Sequence, residues 1–260
     1  MHKLSVLIHS YNNEKIIRRC LESVKWADEI VICDSFSSDK TVNICRGYTD
    51  KIYYYEHKNS ADQKNWAIPK CAHTWIFQID TDEVISSKLV MEIKELFSQG
   101  KILCNAFKIS RENHLFGRQM RGAGLYPDRI VRLFRNYLRY EDKPIHARLI
   151  VNEKIGELQG SILHYGFEDW KTLRWKFSRY RILEYLDFKK GERTITLFHP
   201  MIFPIGIFVY LFFLKGGFID GWRGFIWASF ISMVRLFVYM DMILGRKIIG
   251  GQEDPGKQNG

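Results

Sequence analysis

The sequence predicts an α/β fold in which a mixed, mainly parallel sheet carries helices on both faces and is followed by amphipathic, membrane-associated helices. Three observations point there. Short β-rich runs alternate with apolar residues at helical spacing through the first hundred positions, and the apolar run Trp75–Ile79 breaks abruptly into Asp80, Asp82 and Glu83. Beyond residue 168 the chain turns basic and aromatic, then almost wholly apolar. Regular alternation of strand and helix makes neighbouring strands parallel, because the crossover between them packs back onto the sheet in only one hand.

Leu4 to Ile8 is β-rich and runs into the polar loop Ser10-Tyr-Asn-Asn-Glu14, after which Ile16, Ile17, Cys20, Leu21 and Val24 recur at helical spacing. Glu29 to Cys33 reads as a second strand opening into Asp34-Ser-Phe-Ser-Ser-Asp39, whose small polar residues suit a ligand-facing loop. A short helix over Thr41–Cys45 stops at Gly47, a third strand covers Lys51–Tyr55, and Ala61–Cys71 is a helix punctuated by Pro69. Trp75–Ile79 has the β-branched and aromatic content of a strand covered on both faces. Asp80 and Asp82 would then emerge at its carboxyl end, where open α/β sheets bind ligands. Two hard oxygen ligands at this spacing suit Mg²⁺ or Mn²⁺, which bind through one or two carboxylates and leave the rest of the shell to substrate phosphates. Taken alone, the same turn also reads as a solvated acidic cap on the next helix, marked by Leu89, Ile93, Leu96 and Phe97.

Ala106–Ile109 and Arg129–Phe134 read as strands around a glycine-rich loop, and Leu149–Val151, Lys154–Ile155 and Ser161–His164 as hairpin strands. Asp169–Lys190 is a long helix in which seven lysines and arginines interleave with Trp170, Trp175, Phe177, Tyr180, Tyr185 and Phe188. Two apolar runs follow, Phe198–Leu214 and Phe225–Leu244. The first is short for a membrane span and holds Pro200 and Pro204, while the second holds Arg235 and Asp241. Interfacial or re-entrant helices are therefore expected, with a two-helix membrane hairpin and a buried core pair as alternatives.

A chain of 260 residues with 46% hydrophobic content can bury a sizeable core. Its net charge of +10 points to an anionic partner. No nucleic-acid recognition motif is present and the basic residues gather beside the apolar C-terminus, so an anionic membrane surface is the expected partner and nucleic acid is not. Cys20, Cys33, Cys45, Cys71 and Cys104 form no C-x-x-C pair and are odd in number, which argues for reduced thiols, not disulfides or zinc. The amino terminus is too briefly apolar for a signal peptide, so the chain is expected to begin folding in the cytoplasm.

With Ser10-Tyr-Asn-Asn-Glu14, Trp26-Ala-Asp-Glu-Ile-Val31, Asp34-Ser-Phe-Ser-Ser-Asp39, Gln63-Lys-Asn65 and Asp80-Thr-Asp-Glu83 in this order, the chain resembles glycosyltransferase family 2. It looks like the branch containing lipopolysaccharide-core β-glucosyltransferases, because Tyr126-Pro-Asp-Arg-Ile-Val-Arg-Leu-Phe134, His146, His164-Tyr165 and Phe218-Ile-Asp-Gly-Trp222 also match. The resemblance spans roughly residues 4 to 240. It implies the GT-A fold, a nucleotide-sugar donor that is most often UDP-linked, a divalent cation (Mg²⁺ or Mn²⁺) and inversion at the transferred sugar.

The resemblance also implies roles. Ser10, Tyr11 and Asn12 would line the nucleotide pocket and Asp34 would hydrogen-bond the base; the blander readings are that Tyr11 packs under the sheet edge and Asp34 caps its loop. Lys64, with Gln63 beside it, would contact the diphosphate, although a lone lysine on a helix is often merely solvated. Asp80 and Asp82 become the metal and ribose ligands. Relatives often carry His-Glu where this chain has His146-Ala147, so the general base falls to the upstream pair Glu141-Asp142, with Asp142 preferred. His146 would orient acceptor or phosphates, or be structural. Arg129 and Arg132 would bind donor phosphate or pair with carboxylates at the sheet end.

The expected organisation is a catalytic domain over 1–167, with a nucleotide-sugar-binding half (1–100) and an acceptor half (101–167). A membrane-associating helical region over 168–249 and a disordered tail over 250–260 complete it. The expected activity is transfer of a hexose to a lipopolysaccharide-core, capsular or other cell-envelope glycan or glycolipid at the cytoplasmic face of the inner membrane, by a peripheral or monotopic protein. A polyprenyl-phosphate glycosyltransferase and a catalytically degenerate, membrane-attached nucleotide-binding protein are the competing readings.

Overall fold

In a computed structural model that describes residues 2–143, 147–191 and 195–246, the chain opens with strand β1 (Leu4–Ser10), helix α1 (Ile17–Val24), β2 (Glu29–Asp34), α2 (Thr41–Cys45) and β3 (Ile52–Tyr54). Helix α3 (Ser60–Ala67) follows, capped by the Asn59 side chain, which accepts from Asp62 N at 2.9 Å. It tightens into a 3-10 turn over Ile68–Lys70, where Pro69 cannot supply the next helical hydrogen bond. Then come β4 (Trp75–Asp80), β5 (Glu83–Ile85), α4 (Ser87–Ser98), β6 (Ala106–Leu115), β7 (Arg118–Gln119), β8 (Asp128–Arg135) and β9 (Ile155–Phe167). Helices α5 (Trp170–Lys190), α6 (Phe198–Val209) and α7 (Trp222–Ile243) close the described chain. Helix α6 runs on as a π-helical turn over Tyr210–Leu214, and a 3-10 turn over Gly217–Asp220 leads into α7.

The sheet order is β3-β2-β1-β4-β8-β6-β9-β5, with β7 paired to β6. β1 lies parallel to both β2 and β4, and β2 is parallel to β3; β4 pairs β8 and β5 pairs β9 antiparallel. This is the expected mixed α/β sheet with a parallel first half. The expected hairpin after Leu149 is instead a single bridge, Tyr140 to Leu149, followed by the 13-residue strand β9. Gly156 and Gly160 lie within β9, where close approach leaves no room for a side chain: a Cβ on Gly160 would sit 2.4 Å from Leu89 Cα.

Alternation along β1 supplies both faces. Leu4, Val6 and Ile8 join Ile17, Cys20, Leu21 and Val24 of α1 and Leu89, Ile93 and Phe97 of α4 in one core, while Leu7 joins Ala61, Ala67 and Ile68 of the α3 side in the other. All five cysteines are free. Burial pushes the Cys33 thiol up to about 11 and those of Cys45 and Cys71 to about 12, which leaves them inert at neutral pH.

The chain divides into two compact units, Met1–Arg111 with Arg129–His164, and Glu112–Asp128 with the chain from Tyr165 onward. In the second unit α7 turns Trp227, Ala228, Phe230, Val234, Val238 and Tyr239 inward against Leu173, Tyr185 and Phe188 of α5. The charges that interrupt its apolar sequence are paired: Asp241 with Arg181, and Arg235 with Glu184 at 3.0 Å. Helix α6 behaves differently, its exposed apolar residues ranging from 42% for Val209 to 70% for Phe198. Helix α7, at 22 residues, is long and apolar enough to cross a membrane; Phe198–Leu214 is shorter.

Between α6 and α7 the backbone is packed without room for side chains. Asp220 accepts from Arg121 N at 3.0 Å and Gly122 N at 2.8 Å, tying the loop before β8 to the turn before α7. A Cβ on Gly224 would meet Gly217 O at 1.7 Å. Gly224→Ala is therefore expected to destabilise this unit by about 2 kcal/mol, the order of a forced overpacking, and thermal melting in detergent of the variant beside the parent measures it.

Candidate active site

The carboxyl edge of the parallel strands gathers the chemistry. In the β4–β8 ladder Phe77 faces Leu133, so the next rung sets Gln78 opposite Arg132. The Arg132 guanidinium donates to Gln78 Oε1, to Asp80 Oδ2 at 2.6 Å and to Glu83 Oε1 at 2.7 Å. Gln78 Nε2 in turn donates to Asp80 Oδ1 at 2.9 Å, and Asp80 N to Glu83 Oε2 at 3.1 Å. Glu83 and Arg132 are buried, whereas 40% of the Asp80 side chain reaches solvent. Of the two readings of Arg132, the pairing with sheet-end carboxylates is the one observed, and Arg129 likewise pairs with Glu157.

The two carboxyls respond oppositely to this guanidinium. Burial would raise Asp80, but the charges of Arg132 and Lys64 outweigh it and hold the group well below the usual carboxylate range. Burial dominates at Glu83 and raises it, with Arg132 acting against the rise. Lys64 is pulled down by burial while Asp80 pulls it up, and its ammonium lies 4.9 Å from the centroid of the Tyr140 ring.

His9, opposite Asp80 in the β1–β4 register, is held down to about 3 by burial and by Lys64. Neither of its ring nitrogens has a hydrogen-bond partner among the described residues. Asp82, in the two-residue turn between β4 and β5, places Oδ2 3.3 Å from His164 Nε2, and both side chains are partly exposed. One carboxylate and one imidazole side by side can hold a divalent cation whose remaining ligands come from diphosphate and water. Among the described residues no group of three or more His, Cys, Asp or Glu could hold one unaided.

The loops after β1 and β2 fasten one another. Ser10 Oγ donates to Asp34 Oδ2 at 2.7 Å, Ser37 donates to Asp34 through both its N–H and its hydroxyl, and Asn12 N donates to Ser37 Oγ at 2.9 Å. Ser38 N returns a bond to Asn12 Oδ1 at 2.8 Å. Asp34 is fully buried by this arrangement, and Tyr11 is exposed. Gln63 Nε2 donates to Ser35 Oγ at 2.7 Å, which ties α3 to the same loop.

Glu141 and Asp142 follow Tyr140, whose N and O both bond the Asn65 side chain, at 2.8 and 2.9 Å. The segment is thereby pinned to α3 next to Lys64. Glu141 pairs with Lys143 at 3.1 Å and accepts from Arg148 N, while Asp142 is exposed. His146 lies outside the described residues. The sequence alone gives no role to His9, Gln78, Glu83 or Asn65, although Gln78 stands out as a polar residue inside a buried apolar strand, two positions before Asp80 and so on the same face.

The model of the family described as "Glycosyl transferase family 2" matches residues 5–155, more than half of the chain. The chain belongs to glycosyltransferase family 2. A lipopolysaccharide core biosynthesis glycosyltransferase, LpsC, of Rhizobium meliloti is 27% identical over 253 residues, covering 90% of this chain and 92% of the relative. An uncharacterized glycosyltransferase of Rickettsia typhi is 26% identical over 258 residues, covering 91% and 87%. Among solved structures, Staphylococcus aureus TarS 1–349 aligns with a TM-score of 0.46 and 14% identity over 96% of this chain and 95% of that one.

For this family 2 glycosyltransferase the Arg132 contacts give a direct test of how its acidic turn is held. Arg132→Met keeps apolar volume but leaves Asp80 and Glu83 without their buried counter-charge. A loss of about 3–5 kcal/mol is expected, read from urea unfolding of the variant against the parent.

Proposed function

We propose that this glycosyltransferase moves a hexose, with inversion, from a nucleotide-sugar donor of the UDP class to a lipopolysaccharide-core or other cell-envelope glycan acceptor at the cytoplasmic membrane face. The observation that carries the reading is the acidic turn itself: Asp80 fixed as an anion by Arg132, with Asp82 beside His164 at the carboxyl edge of a parallel sheet. The relative acting in lipopolysaccharide core biosynthesis supports the acceptor class.

Asp82 and His164 are the residues that would hold Mg²⁺ or Mn²⁺, and Asp80, already committed to Arg132 and Gln78, is left to accept from the donor's ribose. A bound cation supplies Lewis-acid stabilisation of the departing diphosphate. Lys64 adds a positive charge from the protein on the same side. Its partly desolvated ammonium is strengthened by the low local dielectric. Ser10 and Asn12 shape the nucleotide loop around Asp34, which Ser10 and Ser37 hold in place as the acceptor for the base; Tyr11 offers its exposed ring to the pocket, and Gln63 steadies Ser35.

Transfer requires a base on the acceptor side. Asp142 is assigned that role: its carboxylate takes the acceptor hydroxyl proton as the oxygen bonds to the anomeric carbon and the diphosphate oxygen leaves with the bonding electron pair. Glu141 is occupied by Lys143 and Arg148, so it serves to hold the segment. His146 is assigned to acceptor orientation on the family resemblance alone. In a donor screen following UDP release with Mn²⁺, the parent should turn over at least one UDP-hexose and lose activity in EDTA. Asp82→Asn should abolish turnover with folding retained, and Asp142→Asn should lower it about 10²-fold. Unchanged turnover in Asp82→Asn would remove the cation-site assignment.

The membrane reading rests on the second unit. Phe198, Met201, Ile202, Ile205, Leu214 and Ile219 are exposed, next in sequence to a helix whose outward residues include Lys171, Arg174, Arg179, Lys189 and Lys190. Exposed apolar surface joined to basic residues suits seating in an anionic interface. The full chain should float with anionic vesicles at low salt, and a chain ending before Phe198 should not. A full chain that stays soluble without detergent and ignores vesicles would contradict the anchor.

A further inference from the structure

Three neighbouring parallel strands, in the order β3-β2-β1, each finish on an exposed aromatic ring. Tyr54 ends β3 at 46% exposed, Phe36 follows β2 at 59%, and Tyr11 follows β1 at 44%. Phe36 is the anomaly among them. The other phenylalanines of its unit, Phe77, Phe97, Phe107 and Phe134, are all buried. Its backbone has φ +60°, in the left-handed region that a bulky side chain rarely enters.

That conformation is enforced from both sides. Ser37 N donates to Asp34 Oδ1 at 2.7 Å and Ser37 Oγ to Asp34 Oδ2 at 2.6 Å, immediately after Phe36. Asn12, itself at φ +51°, bonds Ser37 and Ser38 from the adjacent loop. The ring then lies stacked on Tyr54, 5.7 Å between centroids and 26° between planes. Glycine would meet the backbone requirement without strain, and a polar residue would suit the solvent. The fold asks for neither the strain nor the exposed ring, and strain held in place by its surroundings concentrates at ligand sites.

We propose that Phe36, backed by Tyr54, is the stacking platform for the donor's nucleobase. The inference rests on the donor reading above and adds a residue to it. Asp34 is buried between Ser10 and Ser37, and the flat faces that reach solvent at these strand ends are those of Phe36, Tyr54 and Tyr11. A flat ring offers any base a π-face, so Phe36 contributes affinity for the nucleotide, whatever sugar it carries.

The test is calorimetric binding of UDP and of a UDP-hexose to the full chain in detergent, with melting temperatures, for the parent, Phe36→Gly, Phe36→Asn and Phe36→Trp. Glycine and asparagine both accept the left-handed backbone, so either keeps the test open if the other fails to fold. Both should melt no lower than the parent yet bind UDP about tenfold more weakly or worse, while Phe36→Trp retains binding. Parent-like UDP affinity in Phe36→Gly and Phe36→Asn would overturn the proposal, as would a loss confined to the UDP-hexose, which would put the ring against the sugar. A parent that binds no nucleoside diphosphate would remove the donor reading and this proposal together, whereas parent binding with an indifferent position 36 removes the proposal alone.

Discussion

The Arg132 guanidinium, shut away from solvent and shared between Asp80 and Glu83, is the contact on which the carboxyl edge of the sheet depends. Two carboxylates three residues apart at the end of a buried strand would repel, and burying either alone would cost several kcal/mol, on the order of 3–5 once a partner is missing. Arg132 resolves this by opposing both from the antiparallel neighbour β8, with Gln78 donating to the other oxygen of Asp80. Glu83 becomes the interior anchor and Asp80 the outward anion. Asp82 is left at the turn beside His164.

Much of this was legible in the sequence because it follows from periodicity. The strand–helix alternation through residue 98, the break from apolar run to acids after Ile79 and the long helix ending at Lys190 each leave a local signature, and the structure has each of them. Contacts between distant segments leave none. Arg132 lies 52 residues from Asp80, so its two possible partners, phosphate or carboxylate, could be separated only by the register of β4 on β8. The roles of Asn65 in pinning Tyr140 and of Ser37 in covering Asp34 are likewise set by tertiary geometry. The strands expected at Lys154–Ile155 and Ser161–His164 belong to the one long strand β9, whose glycines at 156 and 160 permit close approach within the sheet.

The second unit shows the same limit from another side. Arg235 and Asp241 in an apolar run argue against a simple span, and both prove to be paired with charges of α5, Glu184 and Arg181. A helix can thus be apolar overall and still carry ions, provided a neighbouring helix satisfies them. Among the described residues nothing of that kind covers the outer face of α6, and its exposed apolar residues give the membrane reading its physical basis.

The central claim is that the Arg132-held acidic turn receives the diphosphate of a nucleotide sugar. A crystal structure of the protein grown with UDP and Mn²⁺ tests it most directly. The account predicts density for the base at the ends of β1, β2 and β3, the diphosphate over the Asp80–Asp82 turn with the cation against Asp82, and the Arg132–Asp80 contact intact. Nucleotide bound elsewhere, or bound here with Arg132 swung away from Asp80 onto the phosphates, would contradict it.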